Sequence, residues 1–108
     1  MAASAAPVQL SLVDLLLTEE EAAELQRLLA ELERKYERHA HILKHGTIHP
    51  FWHDSMNLNL VRSHILAAKR VITALCESKG IPVPEAVNRP TPPEYPPEFC
   101  VVCRPHHS

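Results

Sequence analysis

Apolar residues recur at three- and four-residue spacing in two runs, separated by a glycine and a proline. In the first run Leu25, Leu28, Leu29, Leu32, Tyr36, His39, Ile42 and Leu43 share one face of a helix. Thr18-Glu-Glu-Glu21 opens it as a capping box, and the glutamates suit the positive end of the helix dipole. Gly46, preceded by Lys44 and His45, closes it. The pattern predicts a helix over 19–45, about 40 Å long at a rise of about 1.5 Å per residue. In the second run Leu58, Val61, Ile65, Ala68, Ile72 and Leu75 form a heptad-like seam. Asp54 or Ser55 is the expected cap, and Gly80 followed by Pro82 is the expected stop. Pro50 prevents one continuous helix through the connection.

Two helices of similar length joined by a short connection predict an all-α fold, an antiparallel helical hairpin over 18–80. A hairpin alone has one layer too few to bury both seams, so something must cover it. Three covers are available: the Val8–Leu17 arm, the C-terminal tail, or a second copy of the chain, which would make a dimeric four-helix bundle. Ala67, Ala68 and Ala74 would permit close helix approach.

The flanks differ in character. Residues 1–17 form an N-terminal arm, with Met1–Pro7 expected to be disordered and Val8–Leu17 a short helix or extended piece. Residues 81–108 form a proline-rich tail, since eight of the ten prolines lie at or after Pro82. This tail should be extended or polyproline-like, pinned along the hairpin by Ile81, Val83, Val87, Tyr95 and Phe99 and ending in a Cys-x-x-Cys segment.

Composition narrows the function. A net charge of -2 is not the footprint of a general nucleic-acid binder. Three cysteines do not make a disulfide framework and point to a reducing, cytoplasmic compartment. The apolar start lacks the basic residues of a secretory or transit signal, and no apolar run reaches the roughly 18 residues of a membrane span. The expectation is a soluble protein.

Candidate chemistry lies in two places. Six of the eight histidines fall between His39 and His64. His41 and His45, at i and i+4, share a helix face and could pinch a metal ion, with His49, His53 and Asp54 as further donors. The competing reading makes His39 core and solvates the others, with Phe51-Trp52 plugging the end of the bundle. In the tail, Cys100 and Cys103 with His106 or His107 give a Cys-x2-Cys-x2-His arrangement suited to zinc, the one cofactor the sequence suggests. The competing reading is a frayed tail with inert thiols. Pro92-Pro93-Glu94-Tyr95 matches the pattern read by WW domains, which a proline-rich tail produces readily by chance. Arg62, His64, Lys69 and Arg70 give the second helix a basic side that could touch nucleic acid, although the helices are too long for a helix-turn-helix. His53-Asp54 is shared with metal phosphohydrolases, but neither their further ligands nor a phosphate loop or nucleophile elbow is present, and no enzyme is expected.

From Trp52-His-Asp54 through Asn57-Leu-Asn-Leu-Val-Arg-Ser-His-Ile65 the chain resembles small, uncharacterised bacterial and mobile-element proteins. These carry a Trp, an acidic residue and an Asn-x-Asn-Leu-x-Arg-x-His-Ile run opening a helix. The resemblance covers about a fifth of the chain, excludes the cysteine tail and implies a bacterial or phage source without an activity. Asn57, Asn59, Arg62 and His64 could fix the turn by hydrogen bonds or present a binding surface. The expected function is therefore a non-enzymatic interaction or accessory protein that binds a protein partner or itself. Its recognition surface would be Phe51, Trp52, Asp54, Asn57, Asn59, Arg62 and His64. A zinc protein using the tail, or a nucleic-acid-binding accessory, are the alternatives.

Overall fold

The computed structural model describes residues 16–47 and 53–101. The N-terminal arm before Leu16, the Phe51-Trp52 plug, His49 and the tail donors Cys103, His106 and His107 lie outside the described residues. Two helices, α1 (Glu19–His45) and α2 (Asp54–Lys79), pack against each other, and a single 3-10 turn, Glu85–Asn88, follows. Among the described residues there is no strand, and no helix is long and apolar enough to cross a membrane.

The ends of α1 follow from the local sequence. The Thr18 hydroxyl accepts from the Glu21 amide at 3.0 Å, and the Glu21 carboxylate accepts from the Thr18 amide at 3.0 Å. Both orphan amides are thus satisfied within the first turn. Gly46, at φ 78°, closes the helix by donating its amide to the Ile42 carbonyl at 2.7 Å. The end of α2 is a Schellman turn. Gly80 stands at φ 70° and ψ 24°, its amide donates to Glu77 at 3.2 Å, and the Ile81 amide donates to Cys76 at 3.0 Å. Ile81 and Cys76 are both buried, which supplies the apolar contact that accompanies this turn. Glu21 also pairs with Lys79 at 2.5 Å, tying the start of α1 to the end of α2.

The core is the pair of facing seams. Leu25, Leu32, Tyr36, His39 and Ile42 are buried on α1, and Leu58, Val61, Ile65, Ile72 and Cys76 on α2. Leu17 is buried just ahead of α1. The expected apolar face of α1 is narrower than its sequence pattern: Leu28 and Leu29 are half-buried and Leu43 is exposed. Cys76 joins the end of the α2 seam, more deeply buried than Leu75, which packs half-buried against the core, because a straight helix drifts off a strict heptad. Cys76 is fully buried, and that burial pushes its thiol pKa up.

After Ile81 the chain turns back along the hairpin. Val83, Val87, Tyr95 and Phe99 pack against the core and Cys100 is buried. We refer to residues 89–101 as the strap.

Candidate functional site

The polar residues that open α2 lie beneath the strap. Asn59 meets the peptide of Tyr95 at two points: its Nδ2 donates to the Tyr95 carbonyl at 3.0 Å, and its Oδ1 accepts from the Tyr95 amide at 2.9 Å. The fixed polarity of that peptide determines which way the carboxamide faces. Arg62 Nε donates to the Pro92 carbonyl at 2.9 Å, with Glu94 at 3.9 Å from its guanidinium. Further along, Lys69 donates to the Arg89 carbonyl, and to the Thr91 hydroxyl at 2.8 Å. At the other end the Ser55 hydroxyl donates to the Pro97 carbonyl at 2.7 Å. These contacts run in opposite chain directions: as α2 climbs from Ser55 to Lys69, the strap descends from Pro97 to Arg89. Fourteen helical residues rise about 21 Å, and seven to eight polyproline residues span about 22–25 Å, so the two repeats keep step.

Tyr36 holds the far end of the strap from α1. Its hydroxyl lies 3.0 Å from both the Arg89 and the Pro90 carbonyls and donates one proton between them. The Arg89 guanidinium sits 3.9 Å above its ring, a cation–π contact, and pairs with Glu33 at 3.1 Å. Tyr95 and Phe99 stack at 4.7 Å between centroids, and Tyr95 lies 6.0 Å from the ring of His39. His39 is buried, its Nε2 has no hydrogen-bond partner, and burial holds its pKa below the ordinary histidine value.

Asp54 and Ser55, expected as caps, work differently. Asp54 is the first helical residue and fully buried. One carboxylate oxygen accepts from the Thr47 amide and the other from the Val101 amide, each at 2.6 Å. The side chain thereby joins the end of α1, the start of α2 and the end of the strap. The Ser55 amide donates to the Phe99 carbonyl at 3.0 Å. The strap itself satisfies an orphan amide of α2 that a capping side chain would otherwise take.

Of the expected recognition residues, Asp54, Asn59 and Arg62 therefore face their own chain. Asn57 is buried, and His64 is exposed beside Ala67, Val71, Leu28, Glu31 and Lys35 in a shallow groove between the helices. Arg62 and Lys69, half of the basic side considered for nucleic acid, bind strap carbonyls. Of the metal candidates, His41 and His45 are exposed side by side, while Cys100 is buried. No cluster of three or more His, Cys, Asp or Glu side chains suited to a metal ion occurs among the described residues.

The spacing of the α2 seam did not single out a second set of residues. Met56, Leu60 and Val71 are each about half exposed, at 51%, 49% and 51%. Leu60, His64, Ala67, Val71 and Ala74 follow at spacings of four, three, four and three on the face turned away from the core. The signal was present as apolar residues off the inner seam. No protein-family model, curated protein or solved structure matches the chain.

Proposed function

We propose that this chain is a non-enzymatic, cytoplasmic interaction protein that associates with a second copy of itself through the outer face of α2. One observation carries the reading: Met56, Leu60 and Val71 are half exposed on a face that no other described residue covers, while the strap closes another. The repeat of Leu60, His64, Ala67, Val71 and Ala74 gives that face the period of a helix–helix seam, and its two alanines permit close approach. Packed about a two-fold axis, the same patch serves both copies and produces a four-helix bundle. The polar frame of Asp54, Asn59 and Arg62 contributes indirectly, by fixing the first turns of α2 from which Met56 and Leu60 project. The buried thiol of Cys76 suits a reducing compartment.

Sedimentation equilibrium of the full chain across a wide concentration range tests this. The expected result is a concentration-dependent dimer. Leu60→Glu combined with Val71→Glu should yield a monomer whose stability stays within about 1 kcal/mol of the parent, because both sites lie outside the core. A parent chain that is monomeric throughout, or a variant that still dimerises, removes the reading.

A further inference from the structure

One constellation has no part in the strap or in the outer face of α2. His41 and His45 stand one turn apart in the last two turns of α1, with ring centroids 4.7 Å apart and planes inclined at 46°. Both are exposed, and among the described residues neither ring has another polar partner. We propose that His41 and His45 form a two-imidazole site for a divalent late-transition-metal ion of the nickel, copper or zinc class.

Three observations support the assignment. The first is spacing. At a metal–nitrogen distance of about 2.1 Å, two imidazoles on one ion place their centroids roughly 4.6 Å apart at a right angle and roughly 5.3 Å apart in a tetrahedral arrangement. The observed centroid separation of 4.7 Å falls in that range. The second is position: the C-terminal end of a helix carries partial negative charge, which favours a cation. The third is availability, since among the described residues no hydrogen bond must be broken to release the ring nitrogens. The other three described histidines differ. His39 is buried against the core, His53 precedes α2 as its N-cap and has an interaction of its own, and His64 lies on α2 with Leu28 and Val71 beside it. The described residues supply no third side-chain ligand to the pair, and water can complete the coordination shell. Imidazole and water donors select late, borderline-soft ions over magnesium or calcium.

Calorimetric titration of Ni2+ into the untagged full chain, in a non-coordinating buffer at slightly alkaline pH, tests the site. One ion per chain is expected. His41→Gln and His45→Gln should each weaken binding by about ten-fold or more, since each removes one of two imidazole ligands. A third variant, Cys103→Ser with His106→Gln and His107→Gln, should bind as the parent does. Ni2+ should also raise the thermal midpoint of the parent but not of the two histidine variants, because an ion bound to the folded helix stabilises it. Far-UV circular dichroism checks that the exposed substitutions preserve the helices. Equal Ni2+ affinity in the parent and both histidine variants overturns the proposal. So does loss of binding in the tail variant alone, which would place the ion on the tail.

Discussion

Asn59 uses one carboxamide to do what a neighbouring strand does with a peptide group, giving one bond to Tyr95 and taking one from it. A carboxylate of the same shape could accept but not donate. Asn59→Asp should therefore destabilise the fold by about 1–3 kcal/mol, the usual cost of a partly buried polar group left unsatisfied, read as a lower urea midpoint. Asp54 is the more demanding case, because its two oxygens serve amides from two different segments. Asp54→Asn turns one acceptor into a donor facing an amide. Hydrogen exchange should then accelerate at Thr47 or Val101, the two amides released. His39 gives a pH prediction whose sign follows from its burial. Its folded pKa is lowered, so the neutral ring contributes stability that is complete above the ordinary value of about 6.5 and is lost as pH falls through the folded pKa. Unfolding midpoints should drop from neutral to mildly acidic pH in the parent and stay flatter in His39→Leu. The carboxylates of Glu21 and Glu24, lowered by Lys79 and the Thr18 amide and by Arg27 respectively, lose their contributions only at more acidic pH. The sequence marked Asn59 and Arg62 as polar groups at a helix start. It could not reveal their partners, which are main-chain atoms about thirty residues away in a segment whose side chains give no pairing signal.

Among the elements, both helices were legible because their ends are local: a capping box, two glycines and a proline stop suffice without tertiary information. Thr18→Ala should cost about 1 kcal/mol and fray the first turn of α1, seen as faster amide exchange at Glu21. The start of α2 was less legible. Its expected side-chain caps are used elsewhere, and the Phe99 carbonyl takes the Ser55 amide instead. The Glu85–Asn88 turn was missed within a stretch read as uniformly extended. Proline sets the φ of Pro84 but says nothing about whether the next four residues close a turn. The strap follows that turn, and Tyr36 is its anchor on α1. Tyr36→Phe should weaken it by about 1 kcal/mol while keeping the ring contact with Arg89.

For the molecule as a whole, the antiparallel hairpin and its inner seam could be read from periodicity. Which side the tail covers could not, since both sides of α2 carry apolar residues at helical spacing. That choice depends on the donors Ser55, Asn59, Arg62 and Lys69, which define one flank, and it leaves Leu60 and Val71 half exposed on another. The same division predicts that strap variants such as Tyr36→Phe lower stability without changing sedimentation, while outer-face variants do the reverse. The strap has one more consequence. An extended segment at the edge of a small protein ordinarily offers a row of amides and carbonyls on which another chain can build a strand. Here five of the eight residues from Pro90 to Pro97 are prolines, which have no amide hydrogen, and Asn59 occupies the amide of Tyr95. The segment accepts hydrogen bonds from its own helix but has almost none to donate outward. An extended margin is thus left poor in the amides that a growing β-ladder would need.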